Sequence, residues 1–292
     1  MDMPAHSIQE SVATDFDNDD HFIDNTRGKY KAKADAVCPS NNQFIEFAGY
    51  KWWINYHWSL NQGTYAWEPF RSNFDPHVIK RTPDGVQLNI IPGDKSQDDS
   101  RTSEIVLSEV LGYGTYLVTA RADGDSFQKL DPNAVFGIFT YQYSEGPPAD
   151  GINRHRELDA LEVIYRGKPG DAQFTLQPWT YDLNIKPGYF FDIPPDAKYL
   201  TSTMNWQGDG SLAYSLYNGD YSYNDIMSNP TIKPFAIWKP SEDPVLRKYI
   251  AKHTPLSRER FHVNLWLMHG NRPAAPQTVT VTRFQFIQPG TD

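Results

Sequence analysis

Three carboxylates lie close together in one strand-like segment, Glu157-Leu158-Asp159-Ala160-Leu161-Glu162. Because strand side chains alternate between two faces, Glu157 and Asp159 point to the same side, whereas Glu162 has the opposite parity. A β-bulge that adds one residue between Asp159 and Glu162 would bring all three acids to one face. Glycoside hydrolysis with retention needs such a pair of carboxyl groups about 5 Å apart, one as nucleophile and one as proton donor.

A solvated acidic edge strand is the alternative interpretation of this segment. The apolar residues Leu158, Leu161, Val163 and Ile164 are too many for an exposed rim and favour a buried strand. Three carboxylates crowded on one face cannot all ionise freely, so we expect at least one raised pKa. The sequence does not say which group holds the proton, and the acids are expected to titrate as a coupled unit.

Strand signals separated by turn residues follow one another from about residue 43 onward. Gly85–Ile90 alternates cleanly, Tyr116, Val118 and Ala120 share one face of a strand, and residues 135–143 form a long apolar run. Many strands with almost no helix predict an all-β fold, a two-sheet antiparallel β-sandwich of jelly-roll type.

Three local features give sharper predictions. Pro244 after Asp243 starts the one predicted helix, with Val245, Tyr249 and His253 at helical spacing. Residues 214–217 lead into Asn218-Gly219, which predicts a tight hairpin turn. Val279, Val281 and Arg283 are predicted to share one face of the last strand.

The domain organisation predicted from composition is simple. Residues 1–42 are polar and rich in Asp and Asn, which indicates a flexible or surface-wrapping segment. Residues 43–290 contain no internal repeat and no linker, so we expect a single β-sandwich domain there.

Charge and composition narrow the class of partner. The net charge of −9 over 292 residues argues against nucleic acid. The single Cys38 excludes an internal disulfide framework and a Cys-rich zinc site. No stretch approaches the roughly 18 apolar residues of a membrane span. Aromatic residues make up 14% of the chain, and planar rings suit stacking against sugars as well as core packing.

The chain resembles the family 16 glycoside hydrolases, which include bacterial licheninases and laminarinases. The acid segment is similar to that family's bulged Glu-x-Asp-x-x-Glu motif. Further similar segments occur in the family's order between about residues 45 and 288: 112–118, 139–141, 204–206, 216–219 and 263–266. The resemblance implies a concanavalin A-like lectin/glucanase sandwich with sugar bound across a concave sheet. It also implies that Glu157 is the nucleophile and Glu162 the general acid/base. Asp159 takes the place of the acid that orients the nucleophile and tunes it electrostatically.

Strand parity and the resemblance together suggest substrate-binding residues. Thr175, Gln177 and Trp179 alternate on the strand after the acids, and Asn264 and Trp266 alternate on a later strand. The tryptophans could stack on a pyranose ring and the amides could bind hydroxyls, although each Trp could equally be a core residue. Glu104 lies where licheninase-like members keep a sugar-binding acid, but Val106 replaces their Arg.

The chain departs from the family pattern immediately before the acids. Residues 153–156 read Asn-Arg-His-Arg where typical members place a Trp or Trp-Pro. His155 shares parity with Glu157 and Asp159 and could take the missing ring's place. A cationic approach could favour an anionic glycan, whereas Arg154 and Arg156 could instead pair with surface acids.

These observations predict a retaining, endo-acting β-glycan hydrolase, with β-1,3- or mixed-linkage β-glucan as the default substrate. No metal or other cofactor is expected in the chemistry, although the resemblance allows a structural calcium ion. A monomer without membrane or nucleic-acid partners is expected. Residues 1–11 lack a secretory signal, but a polysaccharide substrate implies an extracellular or periplasmic enzyme. The alternatives are a non-catalytic carbohydrate-binding module, a transglycosylase or a hydrolase of an anionic glycan.

Overall fold

The computed structural model describes residues 44–55, 73–93, 100–142, 153, 155–164, 170–178, 187–253, 257–268 and 272–290. The predicted polar segment 1–42 lies outside the described residues. No helix in the described ranges has the length and apolar character needed to cross a membrane.

Strands of the described residues build two sheets. The first sheet has the order β1-β2-β6-β15-β8-β9-β10-β11, and the short β3 pairs with β6 in parallel. Its strands are β1 Phe44–Phe47, β2 Tyr50–Ile54, β3 Asn73–Phe74, β6 Arg101–Leu107, β8 Ala134–Tyr141, β9 Leu158–Val163, β10 Ala172–Leu176, β11 Gly188–Phe191 and β15 Arg260–Leu267.

The second sheet has the order β14-β13-β12-β7-β16-β5-β4. It contains β4 Lys80–Thr82, β5 Gly85–Ile90, β7 Gly114–Ala122, β12 Tyr199–Trp206, β13 Leu212–Asn218, β14 Ala236–Trp238 and β16 Gln277–Ile287. All these neighbours are antiparallel. The predicted two-sheet antiparallel β-sandwich is therefore confirmed.

The core lies between the two sheets and is built by alternation along each strand. Tyr116, Val118 and Ala120 on β7 are buried in it on one face, as predicted. From the first sheet, Ile138 and Leu161 enter the same cluster. Because one face of every central strand is committed to this core, the opposite face of the first sheet is left to carry polar side chains.

Local predictions outside the strands were less accurate. The residues after Pro244, which were predicted to form a helix, form the short 3₁₀ helix Leu246–Tyr249. A second 3₁₀ helix, Pro240–Glu242, precedes it. The described α-helix, α1, is Tyr223–Ser228, where a capping box between Ser222 and Asp225 closes the first turn.

Two predictions of turn and parity were wrong. Asn218-Gly219 does not form a hairpin, because β13 continues into α1 and pairs instead with β12 and β14. Arg283 does not share a face with Val279 and Val281, because a register shift after Val281 reverses the parity. Phe284 takes the core position, and Arg283 forms an ion pair with Asp220.

Candidate active site

The acid segment forms β9, and its pairing on both sides contains the predicted bulge. Toward β8, Leu161 pairs with Ile138 and Asp159 with Phe139, so Ala160 is one extra residue. Toward β10, Glu162 pairs with Gln173 and Asp159 with Thr175, with the same shift. The bulge therefore brings Asp159 and Glu162 onto the same side of the sheet. We call this side, which is turned away from the core, the acid face.

The bulge is held from the opposite sheet. Ser202 lies on β12 with its side chain in the interior, and its Oγ donates a hydrogen bond of 2.8 Å to the carbonyl of Ala160. An extra residue in a bulge leaves the regular ladder, so its buried carbonyl needs another donor. Ser202 supplies that donor across the sandwich.

Glu157 is held through its backbone, just before β9 begins. Asn153 Oδ1 accepts a hydrogen bond of 3.0 Å from the Glu157 amide, and Asn153 Nδ2 donates one of 2.9 Å to the Glu157 carbonyl. Asn153 Nδ2 also lies 3.3 Å from the Tyr249 carbonyl. The segment that departs from the resembled family thus fixes the entry into the acid strand.

The electrostatics of the three acids match the crowding expected from the sequence. Only 2% of Asp159 is exposed, and this burial, together with the charges of Glu157 and Glu162, holds the pKa of Asp159 well above its usual range. Burial also raises the pKa of Glu162. Two carboxyl groups are therefore biased toward the protonated form, as a proton donor requires.

Gln173 lies beside Glu162 and reduces the rise in the pKa of Glu162. Its Nε2 donates a hydrogen bond of 2.6 Å to Glu162 Oε2, which favours the carboxylate and lowers the pKa of Glu162 against the effect of burial. Gln173 was not among the predicted residues. The parity of Thr175 and Gln177 extends to Gln173, so continuing the alternation by one step would have identified it.

The structure places Thr175 and Gln177 at the acids, as parity predicted. Thr175 pairs with Asp159 and is fully buried, and Gln177 Nε2 lies 3.3 Å from Asp159 Oδ2. Among the described residues, the Thr175 hydroxyl has no hydrogen-bond partner. A buried hydroxyl without a partner beside an acid is a candidate contact for a polar ligand.

Asn264 also lies on the acid face. The glycine Gly137 separates it from Glu162 in the sheet. Gly137 on β8 pairs with both Asn264 and Glu162, and a Cβ on Gly137 would lie 2.5 Å from Asn264 Oδ1. Asn264 is 5% exposed, and its Oδ1 finds no hydrogen-bond partner in the described part of the chain. Gly137 therefore leaves the space into which the Asn264 amide projects.

The two predicted tryptophans have different outcomes. Trp266 is 3% exposed and packs with Phe74, Val135 and Ile164 in a small apolar cluster. Its ring therefore packs among apolar side chains, which agrees with the core alternative considered above, and stacking of this ring on a sugar stays a prediction. Trp179 lies outside the described residues.

Glu104 lies in a buried polar cluster on the acid face. Its Oε1 is 3.0 Å from His262 Nδ1, and its Oε2 accepts a hydrogen bond from Asn55. His262 is fully buried and stacks on Phe139, which pairs with Asp159. Neither His262 nor Asn55 was predicted as a site residue, because their partners come from distant parts of the chain.

His155 precedes Glu157 by two residues and stacks on Tyr141, with 4.8 Å between ring centroids and 6° between planes. Tyr141 is two residues beyond Phe139 on β8, so it shares the acid face. Arg156 is buried, and its guanidinium donates a hydrogen bond to the Lys252 carbonyl. Arg154 lies outside the described residues.

A metal centre was not predicted for the chemistry. Among the described residues, no three His, Cys, Asp or Glu side chains are grouped so that they could hold a metal ion. The structural calcium ion that the resemblance allows stays a prediction.

Comparison with known proteins identifies the fold. No protein-family model matches the sequence, and no curated protein matches it significantly. Solved structures do match. A prokaryotic β-1,3-1,4-glucanase (lichenase) from a mouse hindgut metagenome is 16% identical, with a TM-score of 0.52 over 82% of this chain and 92% of that one.

Two further structures show the same likeness. The β-glucanase of Bacillus licheniformis is 16% identical, with a TM-score of 0.51 over 86% of this chain and 96% of that one. An immunostimulatory antigen and pseudo β-1,3-glucanase of Mycobacterium tuberculosis is 13% identical, with a TM-score of 0.53 over 81% and 90%. At these identities the likeness defines the fold: this chain has the sandwich fold of the β-glucanases.

Proposed function

We propose that this protein is a retaining, endo-acting β-glycan hydrolase. The observation that carries the proposal is the bulge at Ala160, which brings Asp159 and Glu162 to one face of the sheet directly after Glu157. A bulge beside a cluster of acids is a device that re-aims side chains at a site. Three acids held at the cost of mutual repulsion and burial are difficult to explain in a strand without a chemical role.

The proposed reaction has two steps. A Glu157 carboxylate oxygen forms a bond to the anomeric carbon while the glycosidic bond breaks and Glu162 gives its proton to the leaving oxygen. Glu162 then takes a proton from water, whose oxygen attacks the same carbon and releases Glu157. The raised pKa of Glu162 supports the donor role, since the group must arrive protonated.

Asp159 has a different role in this proposal. With its pKa held well above the usual range, its protonated carboxyl can donate a hydrogen bond within the acid cluster. Such a donor orients the nucleophile and avoids a second full negative charge beside it. Gln177, which lies at Asp159, limits the positions this carboxyl can take.

The proposed substrate is a β-1,3- or mixed-linkage β-glucan. Two structures of the same fold are described as a β-1,3-1,4-glucanase and a β-glucanase, which supports this choice. The proposed chemistry uses no cofactor. We propose an extracellular or periplasmic monomer, because a polysaccharide is too large to reach an enzyme behind a membrane.

Three alternatives remain from the sequence. The stacked His155 and Tyr141 could favour an anionic glycan, and a sugar acceptor in place of water would make the enzyme a transglycosylase. A non-catalytic binding protein is favoured by one specific finding, namely that a structure with this fold is described as a pseudo β-1,3-glucanase. The presence of all three acids in this chain supports catalysis over binding alone.

The test is to incubate the protein with a panel of β-1,3-, mixed-linkage and sulfated glycans. Hydrolysis is measured as the release of new reducing ends. Wild-type protein should cleave at least one glycan, Glu157→Gln should abolish cleavage, and Glu242→Gln should leave it unchanged because Glu242 is exposed beside Lys239. NMR of the first products should show retained anomeric configuration. Binding of a glycan without cleavage by wild-type protein would support the non-catalytic alternative.

A further inference from the structure

Thr140 places a hydroxyl in an otherwise apolar row of the core. On β8, Phe136 and Ile138 alternate into the core between the sheets, and Thr140 continues their parity. Thr140 is 1% exposed and pairs with Leu158, which also belongs to the core. Burying a hydroxyl among apolar side chains is unfavourable unless the hydroxyl forms hydrogen bonds. This hydroxyl therefore needs partners, and it has two.

Both partners are backbone groups on either side of Glu157. Thr140 Oγ1 donates a hydrogen bond of 2.8 Å to the Arg156 carbonyl and accepts one of 3.2 Å from the Leu158 amide. These groups belong to the two peptide bonds that flank the Glu157 Cα. The other polar groups of those peptides, the Glu157 amide and carbonyl, are bonded to the Asn153 side chain. Thr140 and Asn153 together thus bond all four polar groups, and we call these two side chains the Glu157 clamp.

The backbone that the clamp holds has an unusual conformation. Arg156 has a φ of 51°, in the left-handed region that a residue with a Cβ rarely adopts. Its amide donates a hydrogen bond of 3.2 Å to the Asn153 carbonyl, which closes a turn. Such a conformation is unfavourable by itself and persists only where the surrounding contacts determine it. The turn immediately before Glu157 therefore depends on the contacts that hold it, the Thr140 hydroxyl among them.

We infer that Thr140 is a positioning residue for Glu157, whose hydroxyl fixes the two peptide groups from which the Glu157 side chain projects. This inference rests on the proposed function, in which Glu157 is the nucleophile. Thr140 lies on the core side of the sheet, so it acts through the backbone and does not touch the glycan. A nucleophile must reach its target carbon at about 3–3.5 Å in the correct direction. A small rotation at the Glu157 Cα would move the carboxylate away from that position.

Three variants separate the hydroxyl from the packing of the side chain. Thr140→Val keeps the shape and loses the hydroxyl, whereas Thr140→Ser keeps the hydroxyl and loses a methyl group. Ile138→Val is the matched control, because Ile138 lies two residues earlier on the same face of β8 and takes no part in the clamp. The melting temperature of each variant is measured first, and all assays are run well below it.

The first measurement is glycan hydrolysis with kcat and KM determined separately. Thr140→Val should lower kcat roughly 10- to 100-fold, the effect of a misplaced reacting group. Its KM should change less than about twofold, because the loss falls on the transition state and not on glycan binding. Thr140→Ser and Ile138→Val should keep kcat within about threefold of wild type, since both leave the clamp intact. If Thr140 only stabilised the fold, kcat would be unchanged in every folded variant.

The second measurement does not require turnover. Burial and then the charge of Glu157 raise the pKa of Asp159. Once the clamp is released, these two like charges can move apart, so the pKa of Asp159 should fall in Thr140→Val and stay unchanged in Thr140→Ser. A pH titration followed by ¹³C NMR of protein labelled at the aspartate carboxyl carbons measures this pKa.

The two measurements separate the inference from the proposed function. Cleavage by wild-type protein together with unchanged kcat in Thr140→Val, or with an equal loss in Thr140→Ser, would overturn only the positioning role. If wild-type protein cleaves no glycan, the catalytic proposal fails and the titration decides. A lower pKa of Asp159 in Thr140→Val would then still show that Thr140 orients Glu157, and an unchanged pKa would overturn this as well. Asn153→Ala removes the other half of the clamp and replaces Thr140→Val in both measurements if that variant does not fold.

Discussion

Ser202 Oγ lies 2.8 Å from the carbonyl oxygen of Ala160, so one hydroxyl of the second sheet is bonded to the extra residue of the acid strand. The orientation of Glu162 depends on that extra residue, because without it Glu162 would face the core. A contact between the two sheets thus stabilises the arrangement on which the proposed chemistry depends.

Removing this hydroxyl should affect both stability and activity. Ser202→Ala leaves a buried carbonyl without its donor, which should destabilise the protein by about 1–3 kcal/mol. We also expect a lower kcat, because the bulge can then relax and move Glu162. Thermal unfolding and glycan hydrolysis below the transition measure the two effects.

A core variant far from the bulge separates these effects. Leu88 is fully buried on β5 of the second sheet, and Leu88→Ala should cost about 2–5 kcal/mol through the cavity it leaves. It should keep its kcat at temperatures where the protein is folded. If Ser202→Ala also kept its kcat, the bulge would be stable without Ser202.

Gln173 should control the pH dependence of the proposed reaction. Its hydrogen bond favours the Glu162 carboxylate, so Gln173→Ala should raise the pKa of Glu162 further. A general acid works only while protonated, so activity is lost as pH rises through its pKa. The alkaline limb of kcat/KM should therefore move to higher pH in Gln173→Ala. A shift in the opposite direction would contradict the role of Glu162 as proton donor.

Gly137 should be required for the position of Asn264. In Gly137→Ala the new methyl would meet Asn264 Oδ1 at 2.5 Å, so the amide must turn away. We expect a KM raised roughly tenfold, the equivalent of about 1.4 kcal/mol, if Asn264 binds a substrate hydroxyl. Gly124→Ala is the control, since a Cβ there meets nothing within 4 Å. A similar KM in both variants would remove Asn264 from the binding residues.

Strand parity predicted more of this site than composition could. The position of the bulge followed from the parity of Glu157, Asp159 and Glu162 alone, and the alternation of Thr175 and Gln177 placed them at Asp159. Both predictions need only local geometry, because the sheet has a period of two residues.

Parity failed where a contact or an irregularity came from elsewhere in the chain. Arg283 was assigned the wrong face because nothing local marks the second bulge. Ser202 and His262 act through partners 42 and 158 residues away in sequence, which no spacing rule connects. Trp266 shares the parity of Asn264, but Phe74 and its neighbours pack around the ring. Parity gives the face of a side chain and leaves its exposure open.

Asp159 should make the protein less stable at neutral pH than at acidic pH. Burial first, and then the charges of Glu157 and Glu162, raise its pKa in the folded state, whereas an unfolded Asp titrates near about 3.9. Between these two values the folded state binds more protons, so the contribution to stability falls as pH rises. Each unit of difference between the folded and unfolded pKa values is worth about 1.4 kcal/mol.

Asp159→Asn cannot ionise, so it should be more stable than wild type at pH 7 and little different at pH 4, while its kcat should fall. Melting temperatures at the two pH values measure this, with the exposed Asp125→Asn as control. An Asp159→Asn variant destabilised equally at both pH values would contradict a raised pKa of Asp159 in the folded state.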